Sequence, residues 1–240
     1  ETGEDAESGV LISLMVGFAL YMLILLYGVQ VLQSVQEEKT NRIAEILVSS
    51  MKASQLMLGK VLGVALAALL QIAIWLSLAF LVSGLISPLL GGGSSGGLLS
   101  GLPPGVDLSL IAMVLAFLLL GFFLYASLFA AAGAAAQSSE DAQRFTFPLV
   151  MPLLIPMMLT GAIISAPQDT IAVVLSWIPL TMPLAMPMRM GAGGGSTFEL
   201  AASLVVLALS VVVMGIIAGK IYRIGILSTG KRPTFRELAR

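Results

Sequence analysis

The chain has 240 residues, of which 58% are hydrophobic and only 10% charged; 12 basic and 13 acidic side chains leave a net charge of −1, and the mean hydropathy is +1.03. A water-soluble domain is about 45–50% apolar and about 25% charged, so this composition excludes an ordinary soluble fold and points to an all-α polytopic membrane protein. With no Cys and no His, disulfides, thiol nucleophiles, Cys/His zinc sites and histidine acid–base chemistry are also excluded.

The N-terminus, ETGEDAESG, has neither an initiator Met nor a basic lead into its apolar run. It does not read as a signal peptide, and residue 1 is expected to lie within a longer protein. Four apolar runs reach bilayer length, about 20 residues: Val10–Leu32, Met57–Ile86, Leu108–Ala136 and Leu200–Ile221. A fifth, Phe145–Ile164, is long enough but contains Pro148, Pro152 and Pro156. A sixth, within 167–190, carries Pro179, Pro183, Pro187 and Arg189.

Charge decides between a sixth crossing and a dip. If 167–190 is re-entrant or interfacial, eleven basic residues share one side: Lys39, Arg42, Lys52, Lys60, Arg144, Lys220, Arg223, Lys231, Arg232, Arg236 and Arg240. Only Arg189 falls on the other. The positive-inside rule then selects five spans with residues 1–9 outside and a cytoplasmic tail at 223–240. The loop at 87–107, with GGGSSGG and a Pro-Pro pair, is extracellular in this reading.

Between the first two runs lies QEEKTNRIAEILVSS, with five charges on positions 37 to 46. Ser34 and Glu37 have capping-box spacing, although the first span could equally run on through them. Glu38 and Arg42 are an i,i+4 pair in the favourable order. Ile43, Ile46 and Leu47 make an apolar strip, so an amphipathic helix over 34–50 on the cytoplasmic face is expected. A solvated connector is the plain alternative. The mixed charge of Glu37, Glu38 and Glu45 against Lys39 and Arg42 suits a protein partner better than anionic lipid.

In the third run Ala126, Ala130 and Ala134 follow small-xxx-small spacing, which fits close packing within the monomer or at a homodimer interface. Gln137–Arg144 adds Glu140 and Asp141 as a second possible contact surface. The prolines at 148, 152 and 156 each free a carbonyl; with Thr146, Thr160 and Thr181 nearby they make a candidate ion or substrate path. Kinks that turn the chain back are the plainer reading. Finally, Gly225–Arg232, GILSTGKR, is a phosphate-loop pattern with Arg where a Mg²⁺-binding hydroxyl is required. No nucleotide site, catalytic residue or metal site is expected on this chain, and no intramembrane acid or base supports proton coupling.

The stretch QVLQSVQEEKTNR and the following run to Lys60, through EILVSS and QLMLGK, resemble the ABC-2 type permease family, and within it the sodium-exporter-like permeases. The resemblance extends over most of the chain. It implies a permease subunit of an exporter, working as a homodimer or paired permease, with ATP and Mg²⁺ on a separate ATPase subunit. The substrate would be Na⁺ or a small amphiphile. It also implies ATPase coupling at Glu37, Glu38, Arg42 and Glu45, and no nucleic-acid partner. Family members usually begin with one further span and an extracellular domain, both expected to be missing here. A membrane scaffold that recruits a cytoplasmic partner without moving solute is the competing function.

Overall fold

A computed structural model describes residues 3–41, 53–86 and 108–227. Among these, eight helices follow in order: α1 Gly3–Thr40, α2 Ala53–Ile86, α3 Leu108–Ala135, α4 Ser139–Met158, α5 Thr160–Ser165, α6 Thr170–Trp177, α7 Met182–Gly191 and α8 Thr197–Leu227. The expected loop at 87–107 and the tail beyond 227 lie outside the described residues.

Helix α3 is the axle of the bundle. Its sequence is apolar all round, as suits a helix surrounded by others, and half of its apolar window is buried against 11% for α8. It packs most extensively on α1 and α8. Small residues set the approach: a Cβ at Gly133 would lie 2.7 Å from the Leu32 carbonyl oxygen of α1, and one at Gly225 of α8 would lie 2.5 Å from that of Ala134. Ala126, Ala130 and Ala134 are fully buried in a cluster with Val61 of α2 and Ala218 and Tyr222 of α8. The small-residue strip is therefore used inside the monomer, not kept for a second copy.

Two expectations need correction. First, among the described residues four helices rather than five are long and apolar enough to cross a membrane: α1 at Leu14–Thr40, α2 at Gln55–Trp75, α3 at Ile111–Ala135 and α8 at Thr197–Gly225. The run expected to span at 145–164 is divided into α4 and α5 by a break at Leu159 (φ −96°, ψ 12°). Three prolines weaken its backbone ladder, and α4 begins at Ser139, before the apolar run, so that Glu140, Asp141 and Arg144 occupy the helix's first turns. Where the ladder breaks, the Thr160 hydroxyl donates to the carbonyls of Pro156 (3.0 Å) and Met157 (2.7 Å). Second, no helix starts at Ser34. The first span runs on, so 34–40 are the end of α1 and 3–9 its beginning; the amphipathic strip at Ile43, Ile46 and Leu47 lies outside the described residues.

Residues 166–196 form a helical hairpin, α6 and α7, that starts and finishes at the same end of the bundle. Its turn shows how proline is accommodated. Pro179 has no N–H to offer the Leu175 carbonyl four residues back, and the Thr181 hydroxyl donates to that oxygen instead, at 2.6 Å. The Leu180 carbonyl accepts from the Tyr125 hydroxyl of α3 at 2.6 Å. Tyr125 stands ten residues before Ala135, about 15 Å along the axis, so the turn reaches deep between the long helices. Met182 to Arg189 of α7 are buried throughout. Met188 fills the space beside Gly17 of α1, and Pro183 lies 2.6 Å from a Cβ built at Gly121.

Candidate functional site

Charged side chains concentrate at the two ends of the bundle, about 39 Å apart along α8 from Glu199 to Gly225. At the first end α1 finishes beside the C-terminus of α3. The last carbonyls of a helix have no intrahelical donor and carry partial negative charge. Lys39 Nζ donates to two of them, Ala134 at 2.6 Å and Ala136 at 2.9 Å. One residue earlier, Glu38 forms an ion pair with Lys60 of α2 at 2.6 Å, with side-chain exposures of 23% and 9%. Consecutive residues of α1 thus hold two different helices.

The remaining residues expected to couple to an ATPase fall around this brace. Glu37 is exposed, and its carbonyl accepts from the Asn41 N–H. Arg42 and Glu45 lie outside the described residues. Glu140 and Asp141 sit in the first turn of α4, where Ser138 is the N-cap and accepts from the Asp141 N–H at 3.1 Å. Asp141 also lies close enough to Lys39 for electrostatic attraction. Glu38 departs from expectation: its carboxylate is engaged within the chain, because Lys60, about two helical turns into α2, is brought opposite it.

At the second end Arg189 is buried, 1% exposed, and joins four segments. Its Nε donates to the Pro167 carbonyl at 2.7 Å, Nη1 reaches the Ser176 hydroxyl at 3.3 Å, and Nη2 reaches Gln168 at 3.4 Å. Nη1 pairs with Glu199 of α8 at 2.7 Å. The planar fork of guanidinium suits this divergent set of acceptors. Gly193 (φ 76°) and Gly195 (φ 99°) turn the chain tightly between α7 and α8, and Gly194 packs on Pro167. The sequence marks Arg189 only as the one basic residue on its side, next to a glycine cluster; its partners were not legible.

The expected ion path is not gathered at either end. Pro148 is exposed, Pro152 half-buried and Pro156 buried, so the three successive prolines face different surroundings. Thr146 leans back on the Ala142 carbonyl at 3.4 Å, and Thr160 and Thr181 supply the donors described above. Their protons go to carbonyls of their own segments. The phosphate-loop pattern fares similarly at its first residue: Gly225 is helical and set against α3, while Lys231 and Arg232 lie outside the described residues.

Four membrane-length helices, a proline-rich hairpin and charged braces at both ends define a multi-pass α-helical membrane protein. The chain belongs to the ABC-2 family of transporter proteins, whose family model matches residues 2–220. Membership implies pairing with an ABC ATPase subunit. No curated protein and no solved structure matches the chain.

Proposed function

We propose that this chain is the permease subunit of an ATP-driven exporter and that its Lys39 end is cytoplasmic, where the ATPase docks. The observation that carries this is the double brace at the end of α1. Segment 42–52 leaves from a helix end tied to α2 through Glu38–Lys60 and to α3 through Lys39, so a push on that segment is delivered to three helices together. In this reading Glu37, Arg42 and Glu45 meet the partner, Glu140 and Asp141 extend the contact, and Glu38 transmits the force. The positive-inside arrangement supports the sidedness, with residues 1–9 outside and the C-terminus inside; the fifth passage this needs is made by the broken pair α4–α5, which runs from Asp141 beside Lys39 to the Pro167 turn at the Arg189 end. The same-end geometry of residues 166–196 supports a hairpin that dips without crossing.

Two copies, or two related permeases, would flank the transport path, and Na⁺ or a small amphiphile is the proposed cargo. The test is the triple variant Glu37→Ala, Arg42→Ala, Glu45→Ala in the full-length protein, scored for membrane abundance, ATPase co-purification and cargo-stimulated hydrolysis. Truncating a docking charge costs about 2–5 kcal/mol of binding, so association should fall at least thirtyfold, on the order of the lower figure, at normal abundance. Unchanged association would remove this segment from the interface. Retained association without solute movement in liposomes would instead favour a scaffold.

A further inference from the structure

An open groove of about 560 Å³ runs between α2 and α8 with α3 as its floor, at Phe123 and Ser127. The Ser127 hydroxyl donates to the Phe123 carbonyl at 2.7 Å, which leaves the floor essentially apolar. Met57 and Val61 form one wall, Val212 and Ile216 the other. The groove exists because α8 presents Gly215 and Gly219 to it: a Cβ at Gly215 would meet nothing within 4 Å, and one at Gly219 would only touch Met57 at 4.0 Å.

One end of the groove is charged. Lys220 and Arg223, three residues apart and so on neighbouring positions of one helix face, line it and are exposed. Neither forms an ion pair or side-chain hydrogen bond with any described residue. Glu38, which lies within electrostatic reach of Tyr222 on α8, is paired with Lys60. From Val211 to Arg223 the groove follows α8 for about 18 Å, close to half of a hydrocarbon core about 30 Å thick. An apolar channel one leaflet deep, ending in two unneutralised cations, has the form of an anionic lipid: one chain and one phosphate.

We propose that the groove holds an acyl chain of an anionic phospholipid from the leaflet at the Lys39 end, with its phosphate between Lys220 and Arg223. The site is independent of ATPase docking; the topology proposed above serves only to name that leaflet cytoplasmic. Basic side chains at a membrane surface attract anionic headgroups. Apolar burial of the chain fixes the headgroup beside these two.

The experiment extracts the full-length chain from vesicles of equal phosphatidylglycerol and phosphatidylcholine and counts retained lipids by native mass spectrometry. Phosphatidylglycerol should be retained preferentially, and the preference should fall about fivefold for each of Lys220→Gln and Arg223→Gln. Gly215→Leu, which fills the channel, should lower retention of both lipids without changing their ratio. Millimolar inorganic phosphate should displace neither. Equal retention of the two lipids by the parent chain would overturn the proposal. So would displacement by phosphate alone, or a Gly215→Leu variant that loses a dimer while its lipids stay unchanged, which would assign the groove to a second copy. Elution volume and helical circular dichroism report whether each variant is folded; the two charge variants carry the test if Gly215→Leu is not.

Discussion

The two charged ends of the bundle use cations in different ways. Arg189 is enclosed and divides its donors among a carbonyl, a hydroxyl, an amide and a carboxylate from the 166–170 loop, α6 and α8. At the other end Lys39 and the largely buried Lys60 each serve one task, a C-terminal cap or an ion pair. The first arrangement resists change, because its loss strands several partners at once, of which Ser176 is buried and Pro167 and Glu199 half-buried. The second holds helices together yet gives way more cheaply. That suits an end which, in the function proposed here, must receive and pass on movement.

The largest effect should come from Arg189→Ala. Removing one member of a buried pair costs about 3–5 kcal/mol, and the lower figure applies because Glu199 is one-third exposed. Thermal unfolding of the purified chain should show this loss, and limited proteolysis should open the 166–170 loop first. Arg189→Lys should restore only part of it, since an ammonium has no fork to span the same acceptors. Full rescue by Lys would mean that charge alone, rather than the geometry of the four partners, makes this end rigid.

At the other end, Lys39→Met should cost about 2 kcal/mol, the scale of hydrogen bonds to a charged group, read by the same unfolding assay. A loss equal to that of Arg189→Ala would erase the contrast between the ends. Gly225→Ala should follow at about 1.5 kcal/mol, an overpacking cost, because the new methyl meets backbone at Ala134 that has no rotamer to yield. Gly17→Ala is its control: there the obstacle is the flexible tip of Met188, and the change should be far smaller. Smallest is the Glu38–Lys60 coupling, about 1 kcal/mol in a double-mutant cycle, because it isolates a single ion pair. Coupling that grows when the ATPase is bound would show that the brace tightens under load.

Composition and apolar run length were enough to establish a multi-pass helical membrane protein, since only long apolar helices satisfy their backbone groups in lipid. The family was legible in the charged stretch around Gln36–Lys60. Four of the expected spans correspond to long helices because their lengths depend on local sequence. The fifth did not, because hydrophobicity alone does not register what three prolines do to a ladder already burdened by charge.

The partners of the charges were decided by tertiary structure. Lys39 finds carbonyls 95 and 97 residues away, and backbone carbonyls carry no mark in the sequence that would identify them as acceptors. Arg189 and Glu199 are close in sequence, yet Pro167 and Ser176 join them only when the hairpin folds. Threonines 160 and 181 read as free oxygens beside prolines, and folding directs their hydroxyls to backbone carbonyls, for Thr181 the Leu175 oxygen that Pro179 leaves without its donor. A membrane sequence states which segments prefer lipid because that preference is additive along the chain. It does not state which polar groups meet, because that depends on depth and rotation of helices fixed by packing around α3.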